Sequence, residues 1–167
     1  LHNDNPDHAR ALLQSVRQAA ESEQIPSLRA QADLIEVEIA LRQSQPVDTQ
    51  LLARCERAIV TLAAGGQNRL LLRAYRLWGS LLAQAGDLGA AQAAYQKALN
   101  VVLEMRHSLL LDEFQIAFLE QHLPIFLEAV ALYLQSSEHL PQVAHLLALA
   151  STTPEQHRGE QYRGELA

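Results

Sequence analysis

The chain has 167 residues with a formal net charge of −6, and 49% of them are hydrophobic although only 5% are aromatic. This composition is rich in Ala, Leu and Gln and poor in aromatic and β-branched residues, which predicts an all-α fold. The 13 basic residues form no basic run, which argues against nucleic acid as a partner. The single cysteine, Cys55, excludes an internal disulfide.

The sequence favours a soluble chain. Its longest apolar runs are far shorter than a membrane span, and no signal peptide opens it. A lone cysteine also agrees with a reducing compartment. We therefore expect a cytoplasmic location and no membrane partner. Because the first residue is Leu1 rather than Met, we also expect a piece of a longer protein.

Helical periodicity, interrupted by proline and glycine signals, predicts seven helices. In chain order, their expected bounds are Asn5 or Pro6 to about Ser22, Pro26 to about Gln43, Asp48 to the double glycine at 65–66, Arg69 to Gln84, Leu88 to about Met105, Phe114 to Gln135, and Pro141 to Ser151. Pro46 and Asp48 are the expected breaker and N-cap of the third helix. Pro124 marks a kink in the sixth helix or a break between two helices. Residues 1–151 are interpreted as one helical repeat domain, and 152–167 as a polar, frayed tail.

The fourth and fifth helices contain small and large residues at a spacing that is typical of one helix hairpin. In chain order, these repeat-packing residues are Tyr75, Trp78, Gly79, Leu82, Ala91, Tyr95 and Ala98. Small residues let two helices approach closely, and large ones fill the space where the helices diverge. The turn between the two helices is Gly-Asp-Leu, and the alanines that follow it are expected to lie at the close contact.

This hairpin resembles the tetratricopeptide-repeat family. The resemblance implies a right-handed array of antiparallel helix hairpins, an α-solenoid, whose groove binds proteins or peptides. One departure is Leu103, which lies where the family often has proline. The hairpin also lacks the Lys/Asn clamp with which some members bind C-terminal carboxylates, so that function is not transferred.

The other hairpins match this pattern less closely. Leu51 and Ala58 take the two small positions of the third helix, but the spacing from Glu36 to Leu51 is longer than in the hairpin of the fourth and fifth helices. Ala144 and Ala148 lie at the right separation in the seventh helix. Residues 6–22 are interpreted as the second helix of an earlier hairpin, which makes about three and a half hairpins in all.

Residues 108–151 resemble the segment that often precedes the peptidase domain in the bacterial caspase-like proteins called CHAT. The matching residues are Asp112, Phe118, Leu119, Glu120 and Val130. The resemblance implies that the repeats recognise a partner or present it to a peptidase, and that the catalytic residues of that peptidase lie outside this sequence.

No set of residues has the spacing that catalysis, a cofactor or a metal requires. The seven histidines are His2, His8, His107, His122, His139, His145 and His157, and no two of them lie three or four positions apart on one helix. Cys55 lies between Arg54 and Arg57, which would lower a thiol pKa at close range. However, Leu51, Cys55, Ala58 and Leu62 recur at helical spacing, which favours a packed cysteine. We therefore expect no enzyme activity, no cofactor and no metal.

The fourth helix also has a polar stripe, formed by Arg69, Arg73, Arg76 and Ser80, opposite its packing face. In the resembled family the first helix of each hairpin lines the groove, so these side chains would bind a carboxylate or an acidic peptide. The alternative is that Asp33, Glu36 or other neighbours already pair with the arginines.

The function that we expect is non-catalytic binding of a protein or peptide, as the recognition or scaffold part of a larger bacterial protein. One alternative is a structural spacer, or a module that dimerises through an exposed terminal helix, because residues 122–134 are apolar enough to form a sticky surface. Another is the regulatory repeat domain of a transcription or signalling protein.

Overall fold

A computed structural model describes residues 6–135 and 140–151 of the chain. The helices in these ranges are α1 (Pro6–Ser22), α2 (Pro26–Arg42), α3 (Thr49–Ala64), α4 (Asn68–Gln84), α5 (Leu88–His107), α6 (Asp112–Leu134) and α7 (Leu140–Ser151). No strand occurs among the described residues, so the all-α prediction is confirmed. The helix α6 continues through Pro124, which excludes the predicted alternative of two separate helices. The expected tail, 152–167, lies outside the described residues.

The first four helices end in the same backbone turn. Its central residue has a positive φ in each case: Gln24 (54°), Ser44 (50°), Gly66 (63°) and Gly86 (85°). The next N–H donates to a carbonyl five residues back, as in Asp87 to Leu82 at 3.0 Å and Gln67 to Leu62 at 3.1 Å. This is the Schellman arrangement, which satisfies the free carbonyls at a helix end. Four similar helix ends allow four reversals of the chain within short connections.

Aspartates cap the two helices that follow the non-helical connections at 43–48 and 85–87. The Asp48 carboxylate accepts a hydrogen bond from the Leu51 N–H at 2.7 Å, which confirms the predicted cap of α3. Asp87 accepts the Ala90 N–H at 3.0 Å at the start of α5. An N-cap of this type is worth about 1 kcal/mol of helix stability.

The chain divides into two compact units, Leu1–Ala94 and Tyr95–Ala167. In the first unit, α1 packs on α2, α2 on α3 and α3 on α4, and α2 also touches α4. A contact between alternate helices is what stacked hairpins produce, because the first helices of successive hairpins lie side by side. The core of this unit includes Leu34, Val37, Cys55 and Leu62, none of which is exposed to solvent.

Buried positions recur between the two predicted hairpins. From α2 to α4 the shift is 42 residues, and the buried pairs are Ala30/Leu72, Ala32/Ala74, Val37/Gly79 and Ala40/Leu82. From α3 to α5 the shift is 40 residues, and the buried pairs are Leu51/Ala91, Cys55/Tyr95, Ala58/Ala98 and Leu62/Val102. The shifts differ because the connection between α2 and α3 is longer than that between α4 and α5. Both exceed the period of about 34 residues that is typical of tetratricopeptide repeats.

In the second unit, α6 packs on α7, and the Tyr95 hydroxyl lies 3.3 Å from the Glu128 carboxylate. The helix α7 buries Val143 and Leu146. Ala144 and Ala148, which the sequence placed at close-contact positions, are exposed, so that interpretation is wrong.

The helix α6 contradicts the expectation that the apolar runs of the chain are far shorter than a membrane span. Within the described residues, Glu113–Leu134 is the one segment long and apolar enough to cross a membrane, with a mean hydropathy of 1.3. One third of its most apolar window is buried inside the protein. Core helices of soluble proteins meet the same criteria of length and composition, so this is weak evidence for a membrane segment.

Candidate functional site

Three carboxylates of α2 form ion pairs with arginines from other helices. Arg17 of α1 donates to Asp33 at 2.6 Å and also pairs with Glu36. Arg54 of α3 pairs with the other oxygen of Glu36. Asp33 is buried, and the other three side chains are each about one quarter exposed. This cluster joins α1, α2 and α3 through charges that balance one another.

The third carboxylate, Glu38, pairs with arginines of two helices. Its partners are Arg73 of α4 and, at 2.7 Å, Arg42 one turn further along α2. Partial burial by itself would raise the pKa of Glu38, but the hydrogen bonds and charges of Arg73 and Arg42 lower it below its ordinary value. Glu38 is therefore ionised at neutral pH, and it fixes the Arg73 guanidinium against α2.

One arginine of the predicted polar stripe of α4 pairs with a carboxylate of a neighbouring helix, as the alternative interpretation expected. Arg73 pairs with Glu38, and neither Asp33 nor Glu36 is its partner. The side chain of Arg73 nevertheless remains 39% exposed.

The helix α4 itself contains no carboxylate. Arg69 and Arg76 are exposed. The Ser80 hydroxyl donates to the Arg76 carbonyl oxygen at 3.1 Å, so it is directed toward its own helix.

The ion pair with Glu38 extends the stripe onto a second helix. We call the set Arg42, Arg69, Arg73, Arg76 and Glu38 the arginine surface. It contains four guanidinium groups together with the carboxylate of Glu38, which pairs with two of them. Fixed guanidinium groups are suited to binding carboxylates, because each offers paired N–H donors in one plane.

A concave region lies beside the cluster of Arg17, Glu36 and Arg54. One cavity of about 400 Å³ is lined by residues of α2, α3 and their connection, including Ile39, Pro46 and Leu51. Another, of about 330 Å³, lies toward α1. Glu36 and Arg54 line both cavities. The arginines here pair with Asp33 and Glu36, so their charges are offset within the protein.

No sequence pattern indicated this cluster. Its members come from three helices, and no short motif relates Arg17 and Arg54 to Glu36. The available signal was the pair Asp33 and Glu36, which lie one turn apart on a helix that is otherwise largely apolar on its inner side.

Cys55 has a structural role. It is fully buried, and its thiol donates to the Ala74 carbonyl oxygen with a sulfur–oxygen distance of 3.6 Å. Burial, and secondarily the charge of Asp33, raises the pKa of Cys55 to about 12. The thiol is therefore protonated at neutral pH, so the flanking arginines do not activate it and the packed interpretation is confirmed.

The histidines are spread over the chain. His107 and His145 are exposed, and His122 Nδ1 lies 2.7 Å from the Phe118 carbonyl oxygen. His2, His139 and His157 lie outside the described residues, as does the side chain of His8. Among the residues that the structure describes, no three His, Cys, Asp or Glu side chains gather as a metal site would require.

The repeat-packing residues differ in their burial. Gly79, Leu82, Ala91, Tyr95 and Ala98 are buried, whereas Tyr75 and Trp78 are half-buried.

Comparison with family models, with curated proteins and with solved structures finds no match to this chain. The resemblance to tetratricopeptide repeats therefore depends on the hairpin of α4 and α5, and the resemblance to CHAT proteins depends on residues 108–151.

Proposed function

We propose that this chain is a non-catalytic helical-repeat module that binds an extended acidic segment of a partner protein on the arginine surface. In this proposal α2 and α4 are the first helices of stacked tetratricopeptide-like hairpins, and they line the groove together. The contact between α2 and α4 supports this arrangement. So does the repetition of buried positions between the two hairpins.

The observation on which the proposal depends is the charge of α4. This helix has Arg69, Arg73 and Arg76 on one face and no carboxylate. Glu38 offsets one positive charge and holds Arg73 in place, which lowers the entropy that Arg73 would lose on binding. Successive acidic side chains of an extended peptide could then contact successive turns of α4.

The CHAT resemblance suggests the wider setting. We propose that the module belongs to a larger bacterial protein, in which it recognises a partner or presents it to a peptidase domain. The resembled segment has a long helix followed by a short one, and α6 and α7 have the same order.

The test is fluorescence anisotropy with a labelled peptide of alternating Asp and Glu, and with a Lys peptide of equal length as the probe of opposite charge. We expect Arg69→Glu and Arg76→Glu each to weaken binding of the acidic peptide by roughly 10-fold, because each replaces an attractive charge with a repulsive one. Arg57→Glu is the matched control, since Arg57 is an exposed arginine of α3 outside this surface.

The contrary result would be equal binding by the two α4 variants and the unmodified chain, or equal loss in the Arg57 variant. Either would show that the arginine surface does not recognise the peptide. Binding should also weaken as salt is added, because exposed charges are screened. A pull-down with the same three variants would then identify the natural partner.

A further inference from the structure

Glu38 places a negative charge within the arginine surface. Its Oε1 accepts a hydrogen bond from Nη2 of Arg42 at 2.7 Å, and its Oε2 accepts one from Nη2 of Arg73. Each carboxylate oxygen is therefore held by a guanidinium of a different helix. Among the residues that the structure describes, neither arginine forms an ion pair with a second carboxylate. These three groups together retain one positive charge, where the two arginines alone would have two.

Both arginines still have donors that a ligand can reach. Each contact with Glu38 uses one terminal nitrogen of a guanidinium group that carries five N–H donors. The side chain of Arg73 is 39% exposed and that of Arg42 is 76% exposed. An anion bound to their other N–H groups would lie about 7 Å from the Glu38 carboxylate, because each hydrogen-bonded pair separates the two central carbon atoms by about 4 Å.

The charge of Glu38 affects different anions to different extents. Arginine clusters bind carboxylates and phosphorylated side chains with the same kind of paired hydrogen bonds. A carboxylate carries one negative charge, whereas phosphoserine carries nearly two above pH 7. Repulsion from a fixed negative charge grows in proportion to the charge of the ligand. At about 7 Å the repulsion is still felt, because the Debye length is about 8 Å at physiological salt.

We propose that Glu38 is a specificity-determining residue of the arginine surface, an inference that rests on the function proposed above. Glu38 lowers the affinity for a doubly charged phosphorylated side chain more than the affinity for a singly charged carboxylate. Its ordering of Arg73 favours both ligands alike, so that effect does not change the preference. The ligand that fits this arrangement is a segment whose charge comes from Asp and Glu rather than from phosphorylation.

The test is fluorescence anisotropy at pH 8 with two labelled peptides. One is the peptide of alternating Asp and Glu, and the other has phosphoserine in place of each Glu. Glu38→Gln removes the charge and keeps the size of the side chain. It should raise the affinity for the phosphorylated peptide by roughly 3-fold more than the affinity for the acidic peptide, because the second charge is released from the same repulsion.

Glu56→Gln is the matched control for the loss of one negative charge. Glu56 is an exposed glutamate of α3 outside the arginine surface. Because charges beyond a Debye length are screened, its replacement should leave the ratio of the two affinities unchanged.

The same titrations at pH 5.5 test whether the second phosphate charge is the cause. Phosphoserine then carries mostly one charge, because its second pKa is about 6. Although burial raises the pKa of Glu38, its two arginine partners hold it below the ordinary value of 4.5, so Glu38 is still ionised. The extra gain of the phosphorylated peptide from Glu38→Gln should therefore become smaller.

Equal factors for the two peptides at pH 8, whether Glu38→Gln strengthens or weakens binding, would overturn the specificity role of Glu38. That result would leave the proposed function intact if Arg69→Glu and Arg76→Glu still weaken binding of the acidic peptide. Failure of the unmodified chain to bind the acidic peptide would instead overturn the proposed function, and this inference with it.

Discussion

Glu38 of α2 and Arg73 of α4 form an ion pair between helices that are separated by the whole of α3. Arg42 approaches the same carboxylate from one turn away, at 2.7 Å. The pair therefore connects the two helices that form the arginine surface, and it offsets the charge of Arg73, one of the predicted binding residues.

The Glu38 pair should make a stability contribution that depends on pH. The pKa of Glu38 is lowered in the folded chain, so its contribution is fully present above its ordinary pKa of 4.5 and is lost as the pH falls through the lower folded value. Glu38→Gln should cost about 0.5–1 kcal/mol at neutral pH, because the pair is partly exposed. Urea unfolding of both chains at several pH values measures this. A difference that persists unchanged at about pH 3 would contradict the assignment.

Gln24→Gly and Ser44→Gly should each stabilise the chain by about 1 kcal/mol. Both residues have a positive φ at a helix end, which glycine adopts without the strain of a Cβ atom. Gly66→Ala and Gly86→Ala are the reverse experiment and should each destabilise by a similar amount. No atom lies within 4 Å of a Cβ built at either glycine, so that loss would be conformational and not steric. Thermal unfolding of the four variants checks both signs.

Cys55 should be almost unreactive in the folded chain. Its thiol is fully buried and its pKa is raised to about 12, so little thiolate is present at neutral pH. We expect a thiol reagent such as dithionitrobenzoate to modify Cys55 only as fast as the unit opens, and at once after denaturation. Rapid stoichiometric modification of the native chain would contradict the packed position.

Ala91→Leu should destabilise the chain by about 1–3 kcal/mol, because Ala91 is completely buried and three added carbon atoms overpack its surroundings. Ala93→Leu is the control on the same helix. Ala93 is exposed, so the larger side chain should change the free energy of unfolding by less than about 0.5 kcal/mol. Similar losses of unfolding free energy in both variants would show that overpacking at the buried position of Ala91 is not the cause.

The positions of the helices could be predicted from local residues. Pro26, Asp48 and Gly86 each lie within a few residues of the helix boundary that they predict, because capping and the backbone hydrogen bonds of a helix involve only near neighbours. The apolar character of residues 122–134 was also visible, since it depends on composition alone.

The side-chain contacts between helices could not be predicted in the same way. Nothing local distinguishes Arg73, whose partner is Glu38, from Arg69, which is exposed, and nothing local shows that Arg17 and Arg54 share Glu36. Ala144 and Ala148 are likewise exposed, whereas Val143 and Leu146 of the same helix are buried. Spacing along one helix defines its faces, but which face is buried depends on the side chains that distant segments bring against it, and those contacts exist only once the helices have packed.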